Sequence, residues 1–258
     1  MSALVDHVVA RVITAQVRLL ACQARLAAQT DSEALHDLRT SVRRLRSLLR
    51  PLRERPGIEQ LEAAAKAVGD LTTPLRDKEV LAAQLLKMGQ VEPAQRRLGE
   101  MAGVFPAVAA SAELQQLLNV LDAFPGFLRV AQRQRLLRKL HPRLEKRLAK
   151  QWKQLVAALQ DPAHDRHRLR LLIKRVRYAA EAYPQLDRAT PALTRSLKRA
   201  QAALGDWHDH FQWLLQADTE ADLSPCIARW SAAMHNAEER ADGVLEKLLD
   251  ACQAAKLA

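Results

Sequence analysis

Two stretches of the chain repeat one pattern of basic residues behind a histidine. Residues 36–46 read HDLRTSVRRLR and residues 167–177 read HRLRLLIKRVR, so each histidine is followed at equal distances by an Arg, a basic pair and another Arg. In an α-helix, residues three and four apart share a face, which places the histidine and most of these basic side chains along one stripe. Like charges at this spacing repel one another, and a bound anion relieves the repulsion. The pattern therefore indicates an anion-binding surface.

The candidate anion-binding residues come from both copies of this motif and from basic residues around them. Arginine can grip phosphate oxygens bidentately, whereas lysine acts as a point charge. A further basic stripe between Arg129 and Lys153 contributes two candidates, although a charged stripe on one helix is usually a solvated face. The complete set is His36, Arg39, Arg43, Arg44, Arg46, Arg50, Arg76, Arg143, Lys150, His167, Arg170, Lys174, Arg175, Arg177 and Lys198.

The overall charge of the chain is strongly positive. Among 258 residues, Lys and Arg number 40 and Asp and Glu 29, which gives a formal net charge of +11 at pH 7. This balance favours an anionic partner and leaves nucleic acid, an acidic protein, a membrane surface and polyphosphate open. Only 4 Trp, 2 Tyr and 4 Phe are present. None of them interleaves with the basic stripes, as a surface that stacks single-stranded nucleic acid would require.

Cysteine usage and hydropathy bear on the compartment. The three cysteines, Cys22, Cys226 and Cys252, are far apart and have no CxxC spacing. This pattern argues against a disulfide framework and against a zinc site. No apolar run approaches the roughly 18 residues of a membrane-spanning helix, and the first residues lack the features of a signal peptide. We therefore expect a cytoplasmic protein that uses no membrane segment, no metal and no cofactor.

Helix is the expected secondary structure throughout. Ala, Leu, Arg and Gln dominate the composition and only 8 Gly are present, which favours an all-α fold. Thr30 and Glu33 form a capping-box pattern, and Asp161 with Pro162 forms an N-cap followed by proline. These caps would place both motif histidines six residues into their helices. Helices are also predicted at residues 3–28, 58–69, 127–160 and 225–256, with breaks at 72–74 and 124–126 and a broken third helix in each half.

The repeat extends beyond the motif itself. Lys66 and Asp77 in the first half match Lys198 and Asp209 in the second at nearly the spacing that separates the two motif histidines. An internal repeat of this length indicates two similar structural units. We therefore predict two four-helix halves, residues 1–125 and residues 126–258.

Catalysis is not indicated by the residue patterns. The chain has no Gly-x-Ser-x-Gly sequence, no cysteine and histidine at a known catalytic spacing, and no Gly-rich phosphate loop. The segment 208–210 reads His-Asp-His, but neighbouring helical residues point about 100° apart and so diverge from a common metal. His36 and His167, taken singly, also suit hydrogen-bonded structural roles. We predict a non-enzymatic binding protein.

The motif helices resemble those of the CHAD family, the conserved histidine α-helical domain. The resemblance covers nearly the whole chain in the family's order and doubling. It implies an all-α fold in which two pseudo-twofold-related four-helix bundles form one CHAD module with a basic surface that binds inorganic polyphosphate. Thr72-Thr73 and His208 stand where the family usually has Leu-Gly and a polar amide. The matching pieces are His36-Asp37-Leu38-Arg39, Arg43-Arg44-Leu45-Arg46, Leu75-Arg76-Asp77, His167-Arg168-Leu169-Arg170, Lys174-Arg175-Val176-Arg177-Tyr178 and Leu204-Gly205-Asp206-Trp207-His208-Asp209.

From this resemblance we expect the basic stripes of both halves to line one channel for linear polyphosphate, with binding and no hydrolysis. A nucleic-acid-binding adaptor is the alternative. Residues 36–40 also resemble the phosphoacceptor box of sensor histidine kinases, but Arg168 stands where the second copy would need the acid. Phosphotransfer is therefore the less favoured hypothesis. The sequence leaves the oligomeric state and any association with polyphosphate granules open.

Overall fold

Ten α-helices follow one another in the computed structural model, which describes residues 2–55, 57–163 and 165–255. No strand occurs among these residues, so the predicted all-α fold is confirmed. None of the helices in this part of the chain is both long and apolar enough to cross a membrane. The helices are α1 (Ser2–Ala28), α2 (Ala34–Leu49), α3 (Ile58–Lys87), α4 (Val91–Gly99), α5 (Val104–Ala109), α6 (Ala112–Arg133), α7 (Leu140–Leu159), α8 (Arg166–Ala182), α9 (Pro191–Ala217) and α10 (Ile227–Ala254).

The apolar stripes predicted for the first two helices form the core beneath the first motif. Val12 and Leu19 of α1 and Leu38 of α2 are fully buried. Complete burial of such a side chain contributes about 1.5–3 kcal/mol, so several of them together fix the rotation of α2 about its axis. Arg43 and Arg44 on the same helix are exposed. Burial of the apolar face therefore keeps the basic residues at the surface.

Helix α2 begins later than the sequence predicted. Its N-cap is Glu33, whose side chain makes no capping bond. The Asp31 carboxylate instead accepts a hydrogen bond from the backbone N–H of Glu33 at 3.0 Å. The predicted capping box of Thr30 and Glu33 is therefore wrong, because Asp31 reaches the free N–H group first. His36 lies three residues after the N-cap.

Helix α8 also begins later than predicted. Its N-cap is Asp165, whose carboxylate accepts from the backbone N–H of His167 at 2.9 Å. Asp161 binds the N–H of Ala163 at 3.0 Å and so closes a turn ahead of the helix. The predicted cap at Asp161 and Pro162 is therefore wrong. The motif histidines lie three and two residues after their caps, which still places both in the first turn of their helices.

Two predicted helix breaks do not occur. Helix α3 continues through Pro74, and α6 continues through Pro125. An internal proline removes one helical hydrogen bond and costs about 3 kcal/mol. Val68 and Leu81, on either side of Pro74, are both buried, and Phe124 is buried beside Pro125. The apolar face is therefore continuous across each proline and holds both helices together.

The region after α6 also differs from the prediction. The helix expected at 127–160 is interrupted between α6 and α7, where Arg135 and Lys139 adopt left-handed backbone with φ of 61° and 57°. In contrast, α9 is one unbroken helix, although the third helix of each half was predicted to be broken. The last helix, predicted at 225–256, agrees with α10 to within two residues.

The chain divides into two compact units, Met1–Leu144 and Glu145–Ala258. The division lies inside α7, whereas the predicted boundary after residue 125 lies inside α6. That the units are copies of one four-helix fold stays a prediction. In the second unit α7, α8, α9 and α10 share one apolar core, which includes Leu155, Ile173, Leu204 and Leu248.

Candidate anion-binding site

Arg39 of α2 is bound by α3 through one guanidinium nitrogen. Its Nη1 donates to Thr73 Oγ1 at 3.0 Å and to Thr72 Oγ1 at 3.2 Å, with Gly69 O at 3.4 Å. Both hydroxyl groups donate to α3 carbonyls, those of Val68 and Gly69, at 2.7 Å. Their lone pairs are therefore left to accept from the arginine. This arrangement fixes Arg39 before any ligand arrives.

Charges of both signs surround Arg39. Burial lowers the pKa of Arg39, and Arg43 and Arg76 lower it further, while Asp77 and Glu79 act in the opposite sense. Arg76 forms an ion pair with Glu79 at 2.9 Å. The first unit therefore contains a cluster of three arginines with two nearby acids, which we call cluster 1 (Arg39, Arg43, Arg76, Asp77 and Glu79).

His36 lies next to cluster 1 but is only partly exposed. Its Nε2 is 3.5 Å from Thr40 Oγ1, which also accepts from Arg43 Nη2 at 3.3 Å. The neighbouring Asp37 accepts a hydrogen bond from Arg25 Nη1 at 2.7 Å. Phosphotransfer would require this carboxylate to assist His36, and the bond to Arg25 directs it elsewhere. The geometry therefore weighs against the phosphotransfer hypothesis.

A buried acid lies at the other end of the α2 stripe. Glu62 of α3 is 8% exposed and accepts two hydrogen bonds from Arg53. Burial raises the pKa of Glu62, but the bonds from Arg53 and the charges of Arg53, Arg50 and Arg46 lower it by more. The Nε atom of Arg46 is buried and has no hydrogen-bond acceptor. The Arg46 side chain lies beside Gly69, since its Nη1 would be 3.5 Å from a Cβ at that position. Arg46 and Arg50 thus lie close to Glu62, which is not one of the acids of cluster 1.

Arg44 lies on a different side of α2. It lines a shallow groove together with Arg11 and Arg18 of α1 and with Ser41. The structure therefore does not bring Arg44 together with Arg39 and Arg43. The basic stripe of α1 supplies this group with two arginines that were not among the candidates.

In the second unit, the motif helix α8 meets a histidine of α9. The rings of His167 and His208 are 5.5 Å apart. Burial, together with the charges of Arg170, His167 and Lys174, lowers the pKa of His208 to about 4. Four basic side chains therefore lie close together, and we call them cluster 2 (His167, Arg170, Lys174 and His208). Three of the four were predicted, and His208 was not.

Arg177 is held by its own helix and by α9. Its Nη1 donates to Gln201 Oε1 at 2.8 Å and its Nη2 to Glu181 Oε1 at 2.7 Å. The guanidinium carbon also lies 4.9 Å from the centre of the Tyr178 ring. Gln201 Nε2 donates to the Tyr178 hydroxyl at 3.3 Å. These contacts give Arg177 a clear structural role in joining α8 to α9.

The remaining candidates have exposed side chains on three helices. Arg143 and Lys150 lie on α7, Arg175 on α8 and Lys198 on α9. Among the described residues, no hydrogen bond or ion pair joins them to either cluster. The residues that sequence reasoning missed are polar partners on the neighbouring helices, namely Glu62, Thr72, Thr73, Glu79, Gln201 and His208.

The helices and the motif positions agree with a known family. A protein-family model described as the CHAD domain matches residues 11–217. The chain belongs to the CHAD family. Among solved structures it is similar to the crystal structure of the CHAD domain from the plant Ricinus communis, with 24% sequence identity and a TM-score of 0.67. That likeness covers 97% of this chain and 90% of that chain. No curated protein matches this chain.

The comparisons establish the CHAD fold and name neither a reaction nor a ligand. The family match stops at residue 217, at the end of α9, whereas the structural likeness also spans most of α10. In this chain α10 is part of the CHAD fold, since Leu245 and Leu248 belong to the core that α7, α8 and α9 share.

The described residues contain no group of three or more His, Cys, Asp or Glu side chains that could hold a metal ion.

Proposed function

We propose that this CHAD protein binds inorganic polyphosphate, without hydrolysing it, through cluster 1 and cluster 2. One observation carries the proposal. In each unit burial lowers the pKa of a half-buried basic group and basic side chains of the motif helix lower it further, while Asp77 and Glu79 oppose this effect at Arg39. Such crowding of like charge is unfavourable in the free protein and becomes favourable when a multivalent anion lies among the side chains.

A linear polyphosphate suits this arrangement because it repeats the same charged group along its length. Arg39 is already fixed by α3, so little side-chain entropy is lost when it donates a hydrogen bond to a phosphoryl oxygen. Separate clusters on one chain make binding multivalent, and affinity should rise with polymer length. Neutralisation of phosphates by arginine and lysine releases counterions, so affinity should fall as salt is added.

The direct test is equilibrium binding of long-chain polyphosphate over a range of salt concentrations. Arg43→Gln and Arg170→Gln should each weaken binding about tenfold, because about 1.4 kcal/mol corresponds to one charge-assisted contact. Each should also reduce the salt slope by roughly 0.7–0.9. Arg229 of α10 is exposed and lies in neither cluster, so Arg229→Gln is a control with the same change of net charge.

Three results would contradict the proposal. Orthophosphate could bind as tightly as long chains, affinity could be independent of salt, or Arg229→Gln could weaken binding as much as Arg43→Gln. Competition with single-stranded RNA and duplex DNA at matched salt separates the nucleic-acid alternative. Displacement of polyphosphate by nucleic acid at equal phosphate concentration would favour the adaptor function instead.

A further inference from the structure

The second unit lacks two hydrogen-bond acceptors that lie next to the basic side chains of the first unit. At the spacing that matches Asp77 to Asp209, Thr73 corresponds to Gly205, and Glu79 corresponds to Phe211. Thr73 accepts from Arg39, and Glu79 pairs with Arg76. Neither glycine nor phenylalanine offers a side-chain acceptor. Two groups that satisfy basic side chains in the first unit therefore have no counterpart in the second.

His208 occupies the position that matches Arg76, and its ring is not satisfied within the protein. Its Nδ1 is buried and has no hydrogen-bond partner. The ring itself is partly exposed and lies 5.5 Å from that of His167. One turn earlier on α9, a side chain at Gly205 would meet no atom within 4 Å, so there is open space on this side of the helix.

The charges around His208 are mostly basic. Helix α8 contributes three groups, and the nearest acids of α9 and α10 have other partners as well. The Asp206 carboxylate lies 4.0 Å from the guanidinium of Arg240. Glu238 accepts from Trp207 Nε1 at 3.1 Å. The charged groups that act on His208 are His167, Arg170 and Lys174 of α8; its titratable neighbours along α9 are Asp206, Asp209 and His210, and on α10 Arg240 and Glu238 contact Asp206 and Trp207.

We propose that His208 is a proton-coupled phosphate-binding residue, whose imidazole takes up a proton when a phosphoryl group enters cluster 2 and then donates a hydrogen bond to it. The proposal rests on the proposed function. In the free protein the ring is neutral, because burial and the neighbouring basic side chains of α8 disfavour a proton there. A phosphoryl group reverses the sign of the local field and stabilises the imidazolium.

The proton balance of this step is simple. The proton comes from solvent or buffer, and it stays on the imidazole while phosphate is bound. In the free protein, burial and the charges of Arg170, His167 and Lys174 hold the pKa of His208 near 4. Phosphate binding raises the pKa of His208. At a pH between the pKa values of the free and the bound protein, binding is therefore accompanied by proton uptake. Over that interval affinity should rise by up to about tenfold for each unit by which the pH falls.

The test measures proton uptake and affinity on the full chain. Calorimetry of long-chain polyphosphate binding at pH 5.5, 6.5 and 7.5, in two buffers of different ionisation enthalpy, gives the number of protons taken up. Long chains are used because the terminal phosphates of polyphosphate also titrate between pH 5.5 and 7.5. In a long chain these terminal groups are a small fraction of all phosphates. NMR titration of the His208 ring, with and without polyphosphate, assigns the proton to that residue. Circular dichroism at each pH verifies that the protein is folded.

Three variants separate His208 from the other histidines. His208→Asn should lose most of the gain in affinity that wild type shows between pH 7.5 and pH 5.5. His167→Asn removes one of the side chains that lower the pKa of His208 and should raise the pH at which His208 titrates in the free protein. His235→Asn is the control, because that side chain is 71% exposed and lies outside both clusters.

The outcomes distinguish this inference from the proposed function. Wild type that binds polyphosphate without proton uptake, or His208→Asn with the pH dependence of wild type, would overturn the role of His208 alone. Absence of polyphosphate binding at every pH would overturn both proposals. Proton uptake that disappears in His208→Asn and persists in His235→Asn would support the role of His208.

Discussion

Replacement of Thr72 by valine tests whether α3 positions Arg39. Thr72 is fully buried, accepts from Arg39 Nη1 at 3.2 Å and donates to the Val68 carbonyl at 2.7 Å. Valine keeps the shape and removes the hydroxyl. A hydrogen bond to a charged group contributes about 1.5–3 kcal/mol, and Arg39 retains its bond to Thr73. We therefore expect Thr72→Val to lower the free energy of unfolding by about 1–2 kcal/mol.

A double-mutant cycle isolates the contact with the arginine. Urea denaturation followed by circular dichroism gives the free energy of unfolding of wild type, Thr72→Val, Arg39→Met and the double variant. The coupling energy should be about 1–2 kcal/mol, because the two groups touch directly. Thr14→Val is the matched control, since Thr14 makes the same bond to the carbonyl four residues earlier, at 2.8 Å, on an exposed part of α1. It should change stability by less than about 0.5 kcal/mol.

A coupling energy below about 0.3 kcal/mol would refute the reasoning, since values of that size are found for residues that do not interact. The threonine would then contribute only through its own helix. A loss in Thr14→Val equal to that in Thr72→Val leads to the same conclusion. A change in the denaturant slope would show that the compactness of the native or the unfolded state had changed, and the coupling energy would then not report the contact alone.

Two further predictions concern stability. The hydrogen bond from Arg25 lowers the pKa of Asp31 from 3.8 to about 2, so its contribution is present above pH 4 and is lost as the pH falls towards 2. Acid titration of stability should be flatter for Asp31→Asn than for wild type, and parallel curves would contradict the ion pair. Gly57 and Gly89 both have positive φ, but a Cβ at Gly57 would overlap the Phe127 ring whereas one at Gly89 would meet nothing. Thermal unfolding should therefore show a larger loss for Gly57→Ala than for Gly89→Ala by about 1 kcal/mol, and equal losses would count against this contact.

Much of the fold could be predicted from apolar spacing. Val12, Leu19 and Leu38 are buried as their periodicity indicates, and α10 begins and ends close to its predicted limits. Burial is a property of a whole face, so a repeated pattern over several turns reports it reliably. The basic motif residues likewise lie on the helices that the sequence predicted.

The predictions of helix limits that the structure contradicts each depend on a single residue. Pro74 and Pro125 lie inside helices because the buried faces continue past them. Asp31 replaced Thr30 as the side chain that satisfies the start of α2. In each case a local preference of a few kcal/mol or less was outweighed by packing or by a nearer competitor, which the sequence does not rank.

The predicted break in α3 also concealed half of the candidate site. Glu62, Gly69, Thr73, Arg76 and Glu79 follow one another at steps of seven, four, three and three, which is one face of a single helix. With a break at residues 72–74, this face could not be seen, and the partners of Arg39 and Arg46 were missed. When α3 is treated as one continuous helix, these five residues of α3 form the surface that contacts the basic stripe of α2.

The two motif copies differ in what the neighbouring helix offers, and this difference decides their chemistry. Arg46 lies beside Gly69, whereas Arg177, its counterpart, is bound by Gln201. Arg39 has threonine acceptors, whereas the residue matching Thr73 next to cluster 2 is a glycine. A repeat in sequence specifies where a side chain lies on its own helix, but its hydrogen-bond partners and its pKa come from the next helix. If the proposed function is correct, equal motifs would hold a phosphate by fixed charge in one unit and by proton uptake in the other.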